Sequence, residues 1–255
     1  MSMPVRRSRG FPRRPSRPHM ARAGGLAHND PMPNAAYHDW VADAEARVLD
    51  AAILLSPEAG WNGVLLQRIG KETGLSGADL DLLLPKGAAD LSALLSRRHD
   101  RQALEALQAI DAGQLKVRER IHAAVEARIE AAMADEAAVK ASAAYLALPM
   151  HVPLALRLGW ETADGLWRWA GDEATDENHY SKRAILAGVL ATTLAARMAG
   201  GQVRARKHLA RVIDQVMAFE KWKATRAPKP GEWGQAAADR LGRMRYGARQ
   251  PRPAP

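Results

Sequence analysis

From Tyr37 to about Lys223 apolar side chains recur at helical spacing, and no convincing alternation of period two interrupts them. The cleanest stripe is Val117, Ile121, Val125, Ile129 and Met133, in strict steps of four. Pro57, Pro85, Pro149 and Pro153 break the pattern, and Gly60, Gly74, Pro85-Lys86-Gly87, Gly171 and Gly200-Gly201 supply stops. The spacing predicts an all-α chain of eight to ten helices. Near the front, a long helix precedes a shorter one over Val64–Glu72, a turn at Thr73-Gly74-Leu75-Ser76, and a short helix over Gly77–Leu84.

Composition changes this picture mainly at the ends. The formal net charge is +9, yet residues 1–30 carry seven arginines and one acid, and residues 221–255 carry nine basic and two acidic side chains. The body between them is therefore mildly acidic, and basic arms near an anionic surface fit better than a DNA-binding body. The first 33 residues, rich in Pro and Arg, are expected to be disordered. Their Arg/Ser content resembles a transit peptide, although the prolines oppose the amphipathic helix such peptides form. The absence of cysteine excludes disulfides, thiolate metal sites and a cysteine nucleophile. No run of 18 apolar residues marks a transmembrane helix.

Two short helices joined by a Gly-containing turn form a helix-turn-helix, and with the long helix after them the front resembles TetR-type repressors. A recognition helix needs Lys, Arg or amide side chains to meet phosphates and base edges. The corresponding segment here, "LSGADLDLLLP", has Asp79 and Asp81 and no basic or amide side chain. The expectation is a helix-turn-helix that has kept its architecture without specific DNA binding.

No Gly-rich phosphate loop, G-x-S-x-G elbow or H-E-x-x-H motif is present. Glu119-Arg120-Ile121-His122 has the Glu-x-x-His spacing of di-iron bundles, and Asp176-Glu177-Asn178-His179 approximates it. Ile121, however, lies on the apolar stripe, which leaves His122 beside it, and His179 falls near a helix start. No metal, cofactor or catalytic residue is expected.

The stretch 167–183, "WRWAGDEATDENHYSKR", divides at Gly171. Before it, Trp160, Ala163 and Trp167 share one helical stripe, with Leu158, Thr162, Leu166 and Trp169 on the neighbouring one, so the helix is expected to be buried on most sides. After it, Thr175 or Asp176 caps the next helix. There Asp176, His179, Tyr180 and Arg183 fall at i, i+3, i+4 and i+7 and make one polar, partly aromatic face. Ala184, Gly188, Ala191 and Ala195 put small residues along another face, suited to close packing within the fold or across a dimer.

This motif resembles the signature of the "Coq-nine" family of coenzyme Q biosynthesis, and the helix-turn-helix front, the Leu148-Pro149 turn and "HLARVIDQVMAFEKWK" (208–223) match it in order, over roughly residues 40–223. The resemblance implies a TetR-like, dimeric, non-enzymatic accessory protein that binds isoprenoid lipid in a helical pocket. It also implies that the protein assists the di-iron demethoxyubiquinone hydroxylase through a surface patch, which maps onto Leu166, Asp176, His179 and Tyr180. Arg183 joins these as a partner-binding candidate from the stripe above. Lipid-pocket candidates are Leu158, Trp160, Trp167 and Trp169, with Ile129 and Met133 of the 117–133 stripe. Glu177 and His179 stand where the family usually has aromatic residues, which weakens or retunes the patch, and "AGGQVRAR" after Met198 also departs from its pattern.

In the tail, Trp233, Ala237, Leu241 and Met244 make an apolar stripe among Arg240, Arg243, Arg245 and Arg249. Trp233, Leu241, Met244, Arg240, Arg243 and Arg245 are the candidate membrane contacts. Each such arginine is worth ~1 kcal/mol near an anionic bilayer, so the binding is peripheral and reversible. The expected organisation is a disordered basic arm (1–36), a helix-turn-helix-like segment (37–88), a helical lipid-binding and dimerisation domain (89–224) and a basic tail (225–255). The expected partners are an isoprenoid quinone precursor, the hydroxylase, an anionic membrane and a second copy of the chain. The expected location is the bacterial cytoplasm at the inner membrane, or the mitochondrial matrix in a eukaryote. A TetR-like ligand-responsive regulator is the alternative; an enzyme is the third reading.

Overall fold

The structure, a computed structural model, describes residues 34–172 and 177–226, the side chains of 34–38, 177–178 and 219–226 excepted. Contacts divide the chain into Met1–Ala42 and Asp43–Pro255. The described part of the first unit is only the opening of the first helix; the core and both candidate sites belong to the second.

Among the described residues the chain is all-α. Eight helices run in the order α1 (Asn34–Ala59), α2 (Gly63–Thr73), α3 (Gly77–Leu83), α4 (Ala88–Leu107), α5 (Val117–Ala134), α6 (Glu136–Leu146), α7 (Val152–Trp169) and α8 (Glu177–Arg226). Single 3-10 turns at Ala112–Gln114 and Pro149–His151 join some of them.

Local chemistry sets the boundaries. Pro57 is tolerated inside the last turn of α1, and Gly60, at φ 70°, ends that helix. Asn62 then caps α2 by accepting from the backbone N–H groups of Val64 and Leu65 at 2.8 and 3.3 Å. Ser76 and Asp79 form a reciprocal capping box at the start of α3. Hydrogen bonds from the Ser76 hydroxyl and backbone N–H hold the Asp79 carboxyl below its ordinary value. Asp79 is thus a capping acid.

Two clusters make the core. In the first, Val48 and Leu49 of α1, Leu65 and Ile69 of α2 and Leu91 and Leu95 of α4 pack with Ala132 and Val139 of α5 and α6. Trp61, in the turn before α2, donates from Nε1 to Ser92 Oγ at 2.7 Å and to the Ala88 carbonyl at 3.1 Å. The helix-turn-helix front is therefore fastened to the wall of α4. In the second cluster Ile121, Val125 and Ile129 of α5 meet Leu166 of α7 and Leu186, Leu190, Leu209 and Ile213 of α8. The i+4 stripe of α5 faces this core, except that Val117 at its start is exposed.

By composition and length, His179–Ala218 would suffice to cross a membrane, although no unbroken apolar run in the sequence suggests it. In the fold only part of it is buried, along one face. Leu186, Val189, Leu190, Leu209 and Ile213 are buried, and non-helical backbone at Gly200 and Gly201 divides α8 into two limbs.

Candidate functional site

Two places concentrate polar chemistry among the described residues. The first is the corner where α7 gives way to α8. Gly171, at φ 82°, ends α7 and is followed by Asp172. Arg183 reaches back from α8: Nε donates to Asp164 Oδ1 at 2.6 Å, and Nη1 donates to Asp172 Oδ2 at 3.1 Å and to the His179 carbonyl at 3.2 Å. Lys182 Nζ sits 2.6 Å from Asp172 Oδ1 and 5.4 Å above the Trp167 ring, while Trp167 Nε1 donates to the Lys182 carbonyl. Burial by itself raises the Asp172 pKa, but hydrogen bonds from Lys182 and Arg183 outweigh it and leave the carboxyl below its ordinary value.

This corner corrects two expectations. Arg183 is only 2% exposed and is consumed by two carboxylates, so it braces the corner and does not join an exposed face. Leu166, at 1% exposure, belongs to the second core cluster and offers no surface to a partner. Tyr180, by contrast, is 65% exposed, with its ring 5.9 Å from Trp160 and 5.2 Å from His179. Asp176 lies outside the described residues. So do Trp233, Leu241, Met244, Arg240, Arg243 and Arg245.

The second place is a partly open cavity of about 500 Å³ bounded by α4, α5, α6, α7 and α8. Ala187, Leu190, Ala191, Leu194 and Met198 of α8, with Val139, Ala143 and Leu146 of α6, give it an apolar side. Ser92, Ser96 and His99 fall at i, i+4 and i+7 on one face of α4 and, with Arg128 of α5 and Thr162 of α7, form a polar side. The polar groups largely satisfy one another. Arg128 Nε donates to Asp100 Oδ1 at 2.6 Å and Nη2 to Ser96, while the Thr162 hydroxyl lies 2.9 Å from the same Asp100 oxygen. His99 Nε2 meets Asp135 Oδ2 at 2.9 Å. Burial pushes the His99 pKa below its ordinary 6.5; the bond to Asp135 pulls the other way, and Arg128 adds to the depression.

Of the six lipid-pocket candidates, Ile129 and Leu158 line this cavity and the other four do not. Trp160 stacks near Tyr180, Trp167 pairs with Lys182, and Trp169 and Met133 pack against core residues. The tryptophans fill space between helices, and small and aliphatic side chains leave the hollow. His99, Arg128, Asp100 and Thr162 were not among the candidates read from the sequence. The one available signal was a histidine on the apolar stripe Leu91, Leu95, His99, Ala103 and Leu107, all buried.

Glu119 hydrogen-bonds the Lys116 backbone N–H in a capping box, and His122 pairs with Glu126 at 3.4 Å. Their spacing thus serves helix ends and faces. A separate hollow of about 570 Å³ lies along α2 and α3, but its polar lining residues, Gln67, Lys71 and Asp81, are all exposed. Ala184, Gly188, Ala191 and Ala195 are exposed too, with Ala191 at the cavity, so among the described residues this stripe of small residues is not buried against another helix.

Fold and sites define an all-helical protein built around an amphiphilic cavity, with a braced aromatic corner on its surface. The COQ9 family model matches residues 152–220, which span α7, the braced corner and most of α8. Ubiquinone biosynthesis protein COQ9, mitochondrial, from Rattus norvegicus is 29% identical over 58% of this chain and 49% of its own length. The Homo sapiens protein of the same name is 28% identical over 58% and 48%, and that of Drosophila melanogaster 27% over 58% and 46%. The chain spans about half the length of the curated relatives it matches.

Proposed function

We propose that the protein is a non-enzymatic, lipid-binding accessory protein of ubiquinone biosynthesis. In this reading the cavity takes part of the isoprenoid tail of a quinone precursor, and the surface around His179 and Tyr180 docks the demethoxyubiquinone hydroxylase that receives it. The cavity carries the proposal. At about 500 Å³ and mostly apolar, it has the size and lining of a small-molecule site, and it lies between helices, where such sites form. Prenyl carbons entering it gain ~0.8 kcal/mol per CH₂, so partial engulfment of a long tail suffices. The names of the relatives support the pathway. Leu148, Met150, Val152 and Leu156, chain neighbours of cavity-lining residues, are exposed and give a tail an apolar approach.

A membrane-associated location follows from this role, on the inner membrane of a bacterium or on the matrix side in a mitochondrion. The basic ends and the dimer remain part of the same proposal. A ligand-responsive regulator is less well supported, since α3 exposes Asp81 and Leu82 and carries no basic side chain.

Deleting the gene and profiling quinones by mass spectrometry tests the assignment. Accumulation of demethoxyubiquinone with depletion of ubiquinone is the expected result. An unchanged quinone profile would remove the hydroxylase step from the reading.

A further inference from the structure

Gly200 and Gly201 interrupt α8 with non-helical backbone, so the helix itself does not fix the angle between its two limbs. Beside this break, between α5 and both limbs, lies a hollow of about 10 Å³. That is roughly the space one water molecule needs. Ile129, Ala205 and Leu209, all buried, give it an apolar lining. Two other lining residues bring polar atoms that are buried without a hydrogen-bond partner among the described residues: Thr193 Oγ1 on the first limb and Gln202 Oε1 on the second. Thr193 is only 2% exposed. Its neighbour Thr192 satisfies its hydroxyl on its own helix, donating to the Gly188 carbonyl at 2.9 Å, a solution that Thr193 does not use. Leaving a buried polar group unpaired is costly, and one hollow holding two of them points to a shared partner.

We propose that this hollow is the binding site of one structural water, which accepts from the Thr193 hydroxyl and donates to Gln202 Oε1 and to the Glu126 carboxylate. The amide oxygen can only accept, so the ligand must have hydrogens to give. A cation is the poorer fit, because Arg206 Nε already donates to Glu126 Oε1 at 3.0 Å and brings its own positive charge to this side. Three polar partners are the usual complement of a buried water. The water ties limb to limb across the two glycines and ties both to α5. Leu194, next to Thr193, and Met198 line the larger cavity, so the same pin holds that part of its wall in place.

Thermal unfolding of full-chain variants tests this, because the sign of one substitution separates a bridged hydroxyl from an idle one. Thr193→Val is expected to lower the midpoint by about 2–4 °C, the loss of one hydrogen-bonded link in a chain of this size. An idle hydroxyl would do the reverse, since a methyl of the same shape removes a buried unpaired group. Gln202→Met should also lower the midpoint, and the double variant should fall by less than the sum, because both changes disable one site. A midpoint raised or unchanged by Thr193→Val, or strictly additive losses, overturns the shared water. A direct bond between the two side chains would imitate the coupling, so magnetisation transfer from water to the buried Ala205 methyl is the second readout. Transfer is expected in the wild type and lost in Gln202→Met, which keeps the Thr193 hydroxyl. Its absence from the wild type, or its survival in Gln202→Met, also overturns the proposal. If Thr193→Val does not fold, the wild-type and Gln202→Met spectra decide alone.

Discussion

Arg183 and Tyr180 stand three residues apart on α8 and have opposite fates. The guanidinium is enclosed by Asp164 and Asp172, whereas the phenol projects into solvent. Removing one member of a buried ion-pair network leaves the others uncompensated, at a cost of about 3–5 kcal/mol. Arg183→Gln is therefore expected to lower the urea midpoint by that order, and to displace His179, whose carbonyl it holds. Tyr180→Ala should cost about 1 kcal/mol or less in the same titration, the worth of one aromatic pairing. If this surface docks the hydroxylase as proposed, the substitution should also weaken that binding by about ten-fold or more in a pull-down titrated with partner. The spacing of 176, 179, 180 and 183 told which residues share a helical face. It held no information on what covers that face, because Asp164 and Asp172 arrive from α7 and the turn after it. His99 was invisible for the converse reason: a histidine on an apolar stripe reads as filler until Asp135 and a hollow are found beside it.

At the level of elements, the glycine stops were the most legible feature, because Gly60, Gly74 and Gly171 act through their own backbone neighbours. The caps Asn62 and Ser76 act just as locally but were not read from the sequence, and the cap expected at Thr175 or Asp176 lies outside the described residues. Gly171 has a tertiary constraint as well. Its φ is 82°, and a Cβ there would lie 3.3 Å from Arg120 Nη1, which donates to the Ala170 carbonyl. Gly171→Ala should cost about 1–2 kcal/mol, read as a fall in thermal midpoint by calorimetry, because a left-handed backbone is strained for any side chain. The tryptophans of α7 were harder to place. Their positions identified a well-packed helix, but a large ring fills the space between helices that smaller side chains leave open. The cavity consequently formed around Ala155, Leu158 and Gly159.

For the molecule as a whole, acid sensitivity follows from the cavity. His99 faces Asp100 of its own helix, Arg128 of α5 and Asp135 between α5 and α6, and its folded pKa lies below 6.5. Between that folded value and 6.5 the unfolded chain binds a proton that the native one refuses, so stability falls as pH drops through this window and is flat above it. Urea midpoints measured from about pH 8 to pH 5 should show the decline, and His99→Phe should remove its upper part. Carboxylates with depressed values, Asp172 among them, add their own losses at lower pH.

The break at Gly200-Gly201 has a consequence for sequence divergence. A continuous helix transmits phase, and one inserted residue turns everything beyond it by about 100°. In the first limb of α8 such an insertion before Ala187 would swing Ala187, Leu190 and Leu194 out of the cavity wall. With Gly201 at φ 70°, phase is not carried across the break to Leu209 and Ile213, which pack on α5. The two limbs are thus free to drift in register independently: length changes are silent at one joint and disruptive within either arm.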